Sequence, residues 1–146
     1  MPLNWALGFK RVHQLSIDPE EYAPNEAWLL FLLNDVPIRT EADGDFNALA
    51  IMDVATGLIL GMELIGLSED EPSEFASRKL LASAESEAGR MPSRLYVSAE
   101  HKMEQLCVVA KAIGLEVFAE AASELSPLTR EAREGFAAHV SGGRKQ

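Results

Sequence analysis

Carboxylates are the residues of this chain most open to chemistry, and two of them close apolar runs. Asp35 follows Trp28-Leu29-Leu30-Phe31-Leu32-Leu33-Asn34, and Asp53 follows Ala48-Leu49-Ala50-Ile51-Met52. An ionised Asp at the end of a strand can donate hard oxygen ligands to a divalent cation. It can equally satisfy backbone N–H groups in a turn. Asp35, after Asn34, fits ordinary turn chemistry, and Asp53, before Val54-Ala55-Thr56-Gly57, fits a hairpin. Other reactive types are sparse. His13, His101 and His139 lie far apart without metal-ligand spacing; His101 falls near a helix start and reads as a surface or capping residue. Cys107 shares an apolar stripe with Leu106 and Ala110, which makes it a small core residue rather than a nucleophile. Gly57 and Gly61 have neither phosphate-loop spacing nor a helix after them, so the sequence names no nucleotide cofactor.

The elements that must position these carboxylates can be read from periodicity and punctuation. Asp18-Pro19-Glu20-Glu21 starts one helical turn that Pro24 stops. The apolar run from Ala27 is too short for a helix and reads as a strand buried on both faces. A turn cluster at residues 41–47, with Gly44 supplying positive φ, leads to a second strand from Ala48 to Val54. The turn Ala55-Thr56-Gly57 leads to a third, from Leu58 to Ile65, which completes a three-stranded antiparallel meander.

A helix is expected from Ser68 to Gly89, capped by Ser68 or Asp70, with Pro72 in its first turn. Phe75, Leu80, Leu81 and Ala84 form its apolar face, and Trp5, Trp28 and Phe75 read as core anchors. Arg94 to Ser98 is a short strand. His101 to Ile113 is a regular helix, with Met103, Leu106, Cys107, Ala110 and Ile113 on one face and Gly114 as its stop. A last strand at Leu115 to Ala119 precedes a final helix opened by Ser126-Pro127, with Leu128, Ala132 and Phe136 facing in. The chain divides into a lead-in at residues 1–26, one α/β domain at 27–140 and a disordered tail at 141–146.

Bulk properties exclude several function classes. A chain of 146 residues is long enough for a full core without staples. One cysteine rules out an internal disulfide framework and suits a reducing cytoplasm. No signal peptide is expected, and no run approaches the roughly 18 apolar residues of a membrane span. Thirteen Lys and Arg against 23 Asp and Glu give a net charge of −10, which disfavours nucleic acid as a partner. Candidates for a basic patch are few: Lys10, Arg11 and His13 near the start, Arg144 and Lys145 at the end.

Three strands followed by helix-strand-helix-strand-helix make a mixed sheet of about five strands with covering helices. That order resembles the ribonuclease H-like fold, and within it the catalytic core of integrases and transposases. Asn34-Asp35-Val36-Pro37-Ile38-Arg39 falls where such cores carry the first metal-binding Asp. Residues 50–61 resemble their second hairpin, and the 18-residue step from Asp35 to Asp53 is similar to their spacing. Pro92 to Ser98 resembles the strand ending in a second catalytic Asp, and Lys111 to Val117 their helix-Gly-strand continuation.

The resemblance implies two-metal catalysis, in which several carboxylates hold two divalent ions about 4 Å apart. Asp35 would be the metal ligand, with Glu100 and Glu134, or Glu131 in its place, completing the set. The chain departs from the pattern after Ser98, where Ala99 cannot bind a metal. Glu100, one step further, points to the other face if the strand continues. Glu131 and Glu134 also read as a solvated helix face.

The leading expectation is therefore an intracellular, non-catalytic binding or regulatory module without a cofactor, whose partner is a protein. The alternative is a divergent metal-dependent nuclease or strand-transfer enzyme using Asp35, Glu100 and Glu134 with Mg²⁺ or Mn²⁺. A third class is a small-molecule enzyme with a pocket at the sheet edge. The sequence leaves the oligomeric state open.

Overall fold

A computed structural model describes residues 18–34, 37–39, 44–98, 101–120 and 122–143. They form strands β1 (Ala27–Leu32), β2 (Phe46–Asp53) and β3 (Ile59–Gly66), helix α1 (Glu74–Ala88), strand β4 (Arg94–Ser98), helix α2 (Glu104–Ala112), strand β5 (Glu116–Glu120) and helix α3 (Ala122–Gly143). The sheet order is β3-β2-β1-β4-β5. The first three strands pair antiparallel, while β1–β4 and β4–β5 pair parallel. This is the ribonuclease H-like order expected from the element sequence.

The sheet is covered on both faces, which is why β1 is buried along nearly its whole length. On one face Trp28, Leu30, Leu49, Ile51, Leu95 and Val97 pack with Leu80, Leu81, Leu106 and Cys107 of α1 and α2. On the other, Leu29, Phe31, Ala48, Ala50 and Tyr96 pack with Leu125, Leu128, Ala132 and Phe136 of α3. Gly61 lets α1 lie close on β3: a Cβ there would meet Leu80 Cδ1 at 3.3 Å and the α1 backbone at 3.5 Å.

Several boundaries differ from expectation, each for a local reason. Helix α1 starts at Glu74, because Ser73 caps it by accepting the Ala76 N–H at 3.1 Å; Pro72 lies outside. Asp70 and Glu71 turn instead toward α2. The α2 N-cap, Met103, has no capping side chain, and Glu71 takes that role by accepting the Gln105 N–H at 2.7 Å. Lys102 bridges both acids, at 3.1 Å from Asp70 and 3.6 Å from Glu71. His101 is half-buried in the bend before that cap. Ile113 falls beyond the end of α2 and is exposed.

Pro127 lies inside α3, not at its start. The α3 backbone continues to Gly143, and residues 144–146 lie outside the described residues. The turn at residues 19–21 forms as a 3-10 helix, with Asp18 accepting the Glu20 N–H. Trp28 is a core anchor as expected, and Trp5 lies outside the described residues. Phe75 is not an anchor. It points away from the Leu80–Leu81–Ala84 face and is 77% exposed.

Candidate functional site

In open α/β sheets the crevice for chemistry lies outside the carboxyl ends of parallel strands, where the connections part in opposite directions. Here that place is the end of β1 and β4: the chain leaves β1 toward β2 and returns through α1 to β4 on the other side. The register Leu30↔Val97 and Ser98↔Glu120 puts the end of β1, Ser98 and Glu120 at one end of the sheet. Side chains alternate along a strand, so Ser98 shares a face with Tyr96, and Glu120 with Phe118. Tyr96 and Phe118 stack at 5.3 Å beneath α3.

Both polar residues are buried, Ser98 at 3% exposure and Glu120 at 8%. Among the described residues Ser98 Oγ has no hydrogen-bond partner. Arg133 of α3 reaches the end of β1 and donates from Nε to the Leu32 carbonyl at 2.8 Å. Beside it the amides of Asn34 and Asn47 tie β1 to β2: Asn34 donates to Asn47 at 2.9 Å and accepts the Ala48 N–H at 2.7 Å.

Of the acids singled out in the sequence, Asp53, Glu131 and Glu134 lie among the described residues. Asp53 lies opposite Trp28, at the start of β1, and therefore at the far end of the sheet from the β1–β4 crevice. Its 2%-exposed carboxylate accepts the Asn25 N–H at 2.9 Å and the Thr56 hydroxyl at 2.8 Å. Asn25 is held at φ 64°. The role of Asp53 is hairpin closure, and the 18-residue spacing from Asp35 does not place it at the crevice. Glu131 and Glu134 are exposed on α3. Asp35, Ala99 and Glu100, like Lys10, Arg11, His13, Arg144 and Lys145, lie outside the described residues.

Glu120, Arg133 and the Asn34–Asn47 pair escaped sequence reading. Their meeting depends on strand order and register, although a Glu ending the Val117-Phe118-Ala119 run was a usable signal.

A two-metal centre needs several converging carboxylates. At the crevice the described residues offer one buried carboxylate, one hydroxyl and a guanidinium, and among them no group of three or more His, Cys, Asp or Glu is arranged to hold a metal. A guanidinium stays charged across the usable pH range and repels a divalent cation. The described donor set therefore does not fit a two-metal centre.

Two other groups are strongly perturbed. Burial pushes the Cys107 thiol up to about 12, with Glu71 and Glu104 adding to the effect, which disfavours the thiolate. Tyr22 is also pushed up to about 12, first by burial and then by its hydrogen bond with the Tyr96 hydroxyl. The two rings meet edge to face at 6.2 Å.

Strand order and direction define the class: a ribonuclease H-like α/β domain. Among solved structures, one match is the integrase catalytic core domain of HTLV-2 in complex with magnesium, in a dimeric form. The likeness has 10% identity and a TM-score of 0.47, and it covers 73% of this chain and 66% of that one. No family model and no curated protein matches the sequence. Among the described residues no helix is long and apolar enough to cross a membrane.

Proposed function

We propose that this domain is a non-catalytic binding module on a ribonuclease H-like scaffold, with another protein as its partner. The observation that carries this reading is the bond from Arg133 to the Leu32 carbonyl. It fixes a permanent positive charge at the end of β1, where catalysis by two metals would need concentrated negative charge. Ala99, the residue after Ser98 in the sequence, supports the same reading, and the net charge of −10 favours a protein over a nucleic acid.

A divergent metal-dependent nuclease using Asp35, Glu100 and Glu134 is the second reading. It is favoured by Glu120, a buried carboxylate in register with the unpartnered Ser98 hydroxyl. The deciding experiment is a cleavage assay on single- and double-stranded DNA and RNA with Mg²⁺ or Mn²⁺. The binding-module reading predicts no cleavage above background. Metal-dependent cleavage that disappears in Asp35→Ala would overturn it.

A further inference from the structure

Strand β3 is an edge of the sheet, and among the described residues no strand pairs with its outer side. The register shows which backbone groups it leaves open. Leu33 donates to the Ala48 carbonyl at 2.8 Å, so Ala48 bonds toward β1. Leu64, opposite Ala48, therefore turns its N–H and C=O away from β2, and Met62, opposite Ala50, does the same. Gly66 is next in that outward series and is closed. Its N–H donates to the Glu69 carboxylate at 3.3 Å, and its carbonyl accepts the Glu69 N–H at 3.0 Å. In the other direction the series is broken by the bulge at Leu60, which the β2–β3 register skips.

The same two residues leave apolar side chains in water: Met62 is 48% and Leu64 51% exposed. Both lie on the α3 face of the sheet, opposite Ala48 and Ala50 of the core layer there. Edge strands are ordinarily guarded by proline, outward charge or shortness. Strand β3 runs for eight residues and holds no proline. Its one charged residue, Glu63, faces α1, where Lys79 lies at 3.6 Å.

This edge fits an extended strand with apolar residues two positions apart, and β3 is itself such a strand. Set antiparallel about a two-fold axis at Glu63, two copies place Met62 of each opposite Leu64 of the other. That register joins every open N–H and C=O of both residues and packs their side chains across the strands. A slip in either direction sets Leu64 against the bulged Leu60 or Met62 against the closed Gly66. Charge agrees with a second copy. On the α1 face the two Glu63 carboxylates meet, and each brings its own Lys79, so the contact is locally neutral in a chain of net charge −10.

We propose that β3 is the interface of a symmetric homodimer, in which two copies pair edge to edge into one continuous sheet. The pairing is short, so the dimer is reversible. This goes beyond the binding-module reading and does not depend on it.

The test is sedimentation equilibrium of the full chain from micromolar to millimolar concentration. It is joined to isotope-filtered NOEs on a mixture of ¹³C,¹⁵N-labelled and unlabelled protein. A monomer–dimer equilibrium is expected, with NOEs between copies joining Met62 to Leu64. Met62→Lys and Leu64→Lys put charge into the interface and should each weaken dimerisation about tenfold or more, with the fold intact by circular dichroism. Val108→Ser, at an exposed site on α2, should leave dimerisation unchanged.

Dimerisation indifferent to Leu64→Lys, or NOEs between copies centred elsewhere, would overturn the proposal. So would a chain that stays monomeric throughout, which would leave the edge to a strand of another protein. A monomer with NOEs from residues 1–17 to Leu64 would give the edge to the chain's own N-terminal segment and would also overturn it. Metal-dependent cleavage lost in Asp35→Ala would remove the binding-module reading and leave this result as it was.

Discussion

The carboxyl end of the parallel strands and the outer face of α1 and α2 treat their side chains in opposite ways. At the strand ends polar groups are drawn inward: Glu120 and Ser98 are buried, and Arg133 is bonded to the backbone of β1. On the helix face apolar groups are left in water: Phe75 of α1 and Val108 of α2 are exposed. In this fold the first region is where chemistry is expected; there Arg133 ties α3 to β1, while Ser98 Oγ has no hydrogen-bond partner among the described residues. The second contributes little to folding through its outermost residues.

That contrast can be broken or sharpened by experiment. The largest effect should come from alkali, which reaches both layers. Cys107, on the inner face of α2, and Tyr22, against Tyr96, are each pushed up to about 12, above ordinary values of 9.0 and 10.0. Folding favours the protonated form of each. Their contribution is complete below about pH 9 and is lost as pH climbs toward 12. Urea titrations across this range should show stability falling, with a shallower fall in Cys107→Ala; an unchanged slope in that variant would contradict the assignment.

Next in size, Leu106→Ala removes a fully buried side chain from the layer between the sheet and its helices and should cost about 3 kcal/mol in chemical denaturation. Arg133→Met should cost about 2 kcal/mol, since it removes a charge-assisted bond to the Leu32 carbonyl. Ser98→Ala deletes a buried hydroxyl that has no partner among the described residues and should be neutral or stabilising by up to about 1 kcal/mol. A clear loss there would mean that the hydroxyl has a partner. Smallest of all, Phe75→Gln should change stability by less than about 0.5 kcal/mol. A loss of 2 kcal/mol or more would return Phe75 to the core and remove the contrast.

Much of the fold was legible because its signals are local. The apolar run ending in Leu33, the turns with positive φ at Gly44 and Gly57, and the stops at Gly89 and Gly114 each act over a few residues. Where tertiary contacts decide, local reading failed. Ser68 and Asp70 looked like helix caps, but Ser73 does the capping, and Glu71 serves α2 across the fold. Phe75 lies near the apolar stripe of α1 in sequence and is turned off it by helical rotation. The site was less legible than the fold. Asp53, before Val54-Ala55-Thr56-Gly57, was legible as a hydrogen-bond acceptor at its hairpin, but its place at the far end of the sheet from the crevice depends on the antiparallel β1–β2 register. Arg133 and Glu120 gain significance only once α3 and β5 are placed against the ends of β1 and β4.

The central claim is that the strand-end crevice is not a catalytic metal centre, and Mn²⁺ relaxation tests it most directly. Paramagnetic broadening would be followed in the ¹⁵N-labelled chain at Leu32, Leu33, Ser98 and Glu120 as Mn²⁺ is added. The account predicts weak, unsaturated broadening spread over the acidic surface, unchanged in Asp35→Ala. Saturable broadening centred on those four residues and abolished by Asp35→Ala would contradict it.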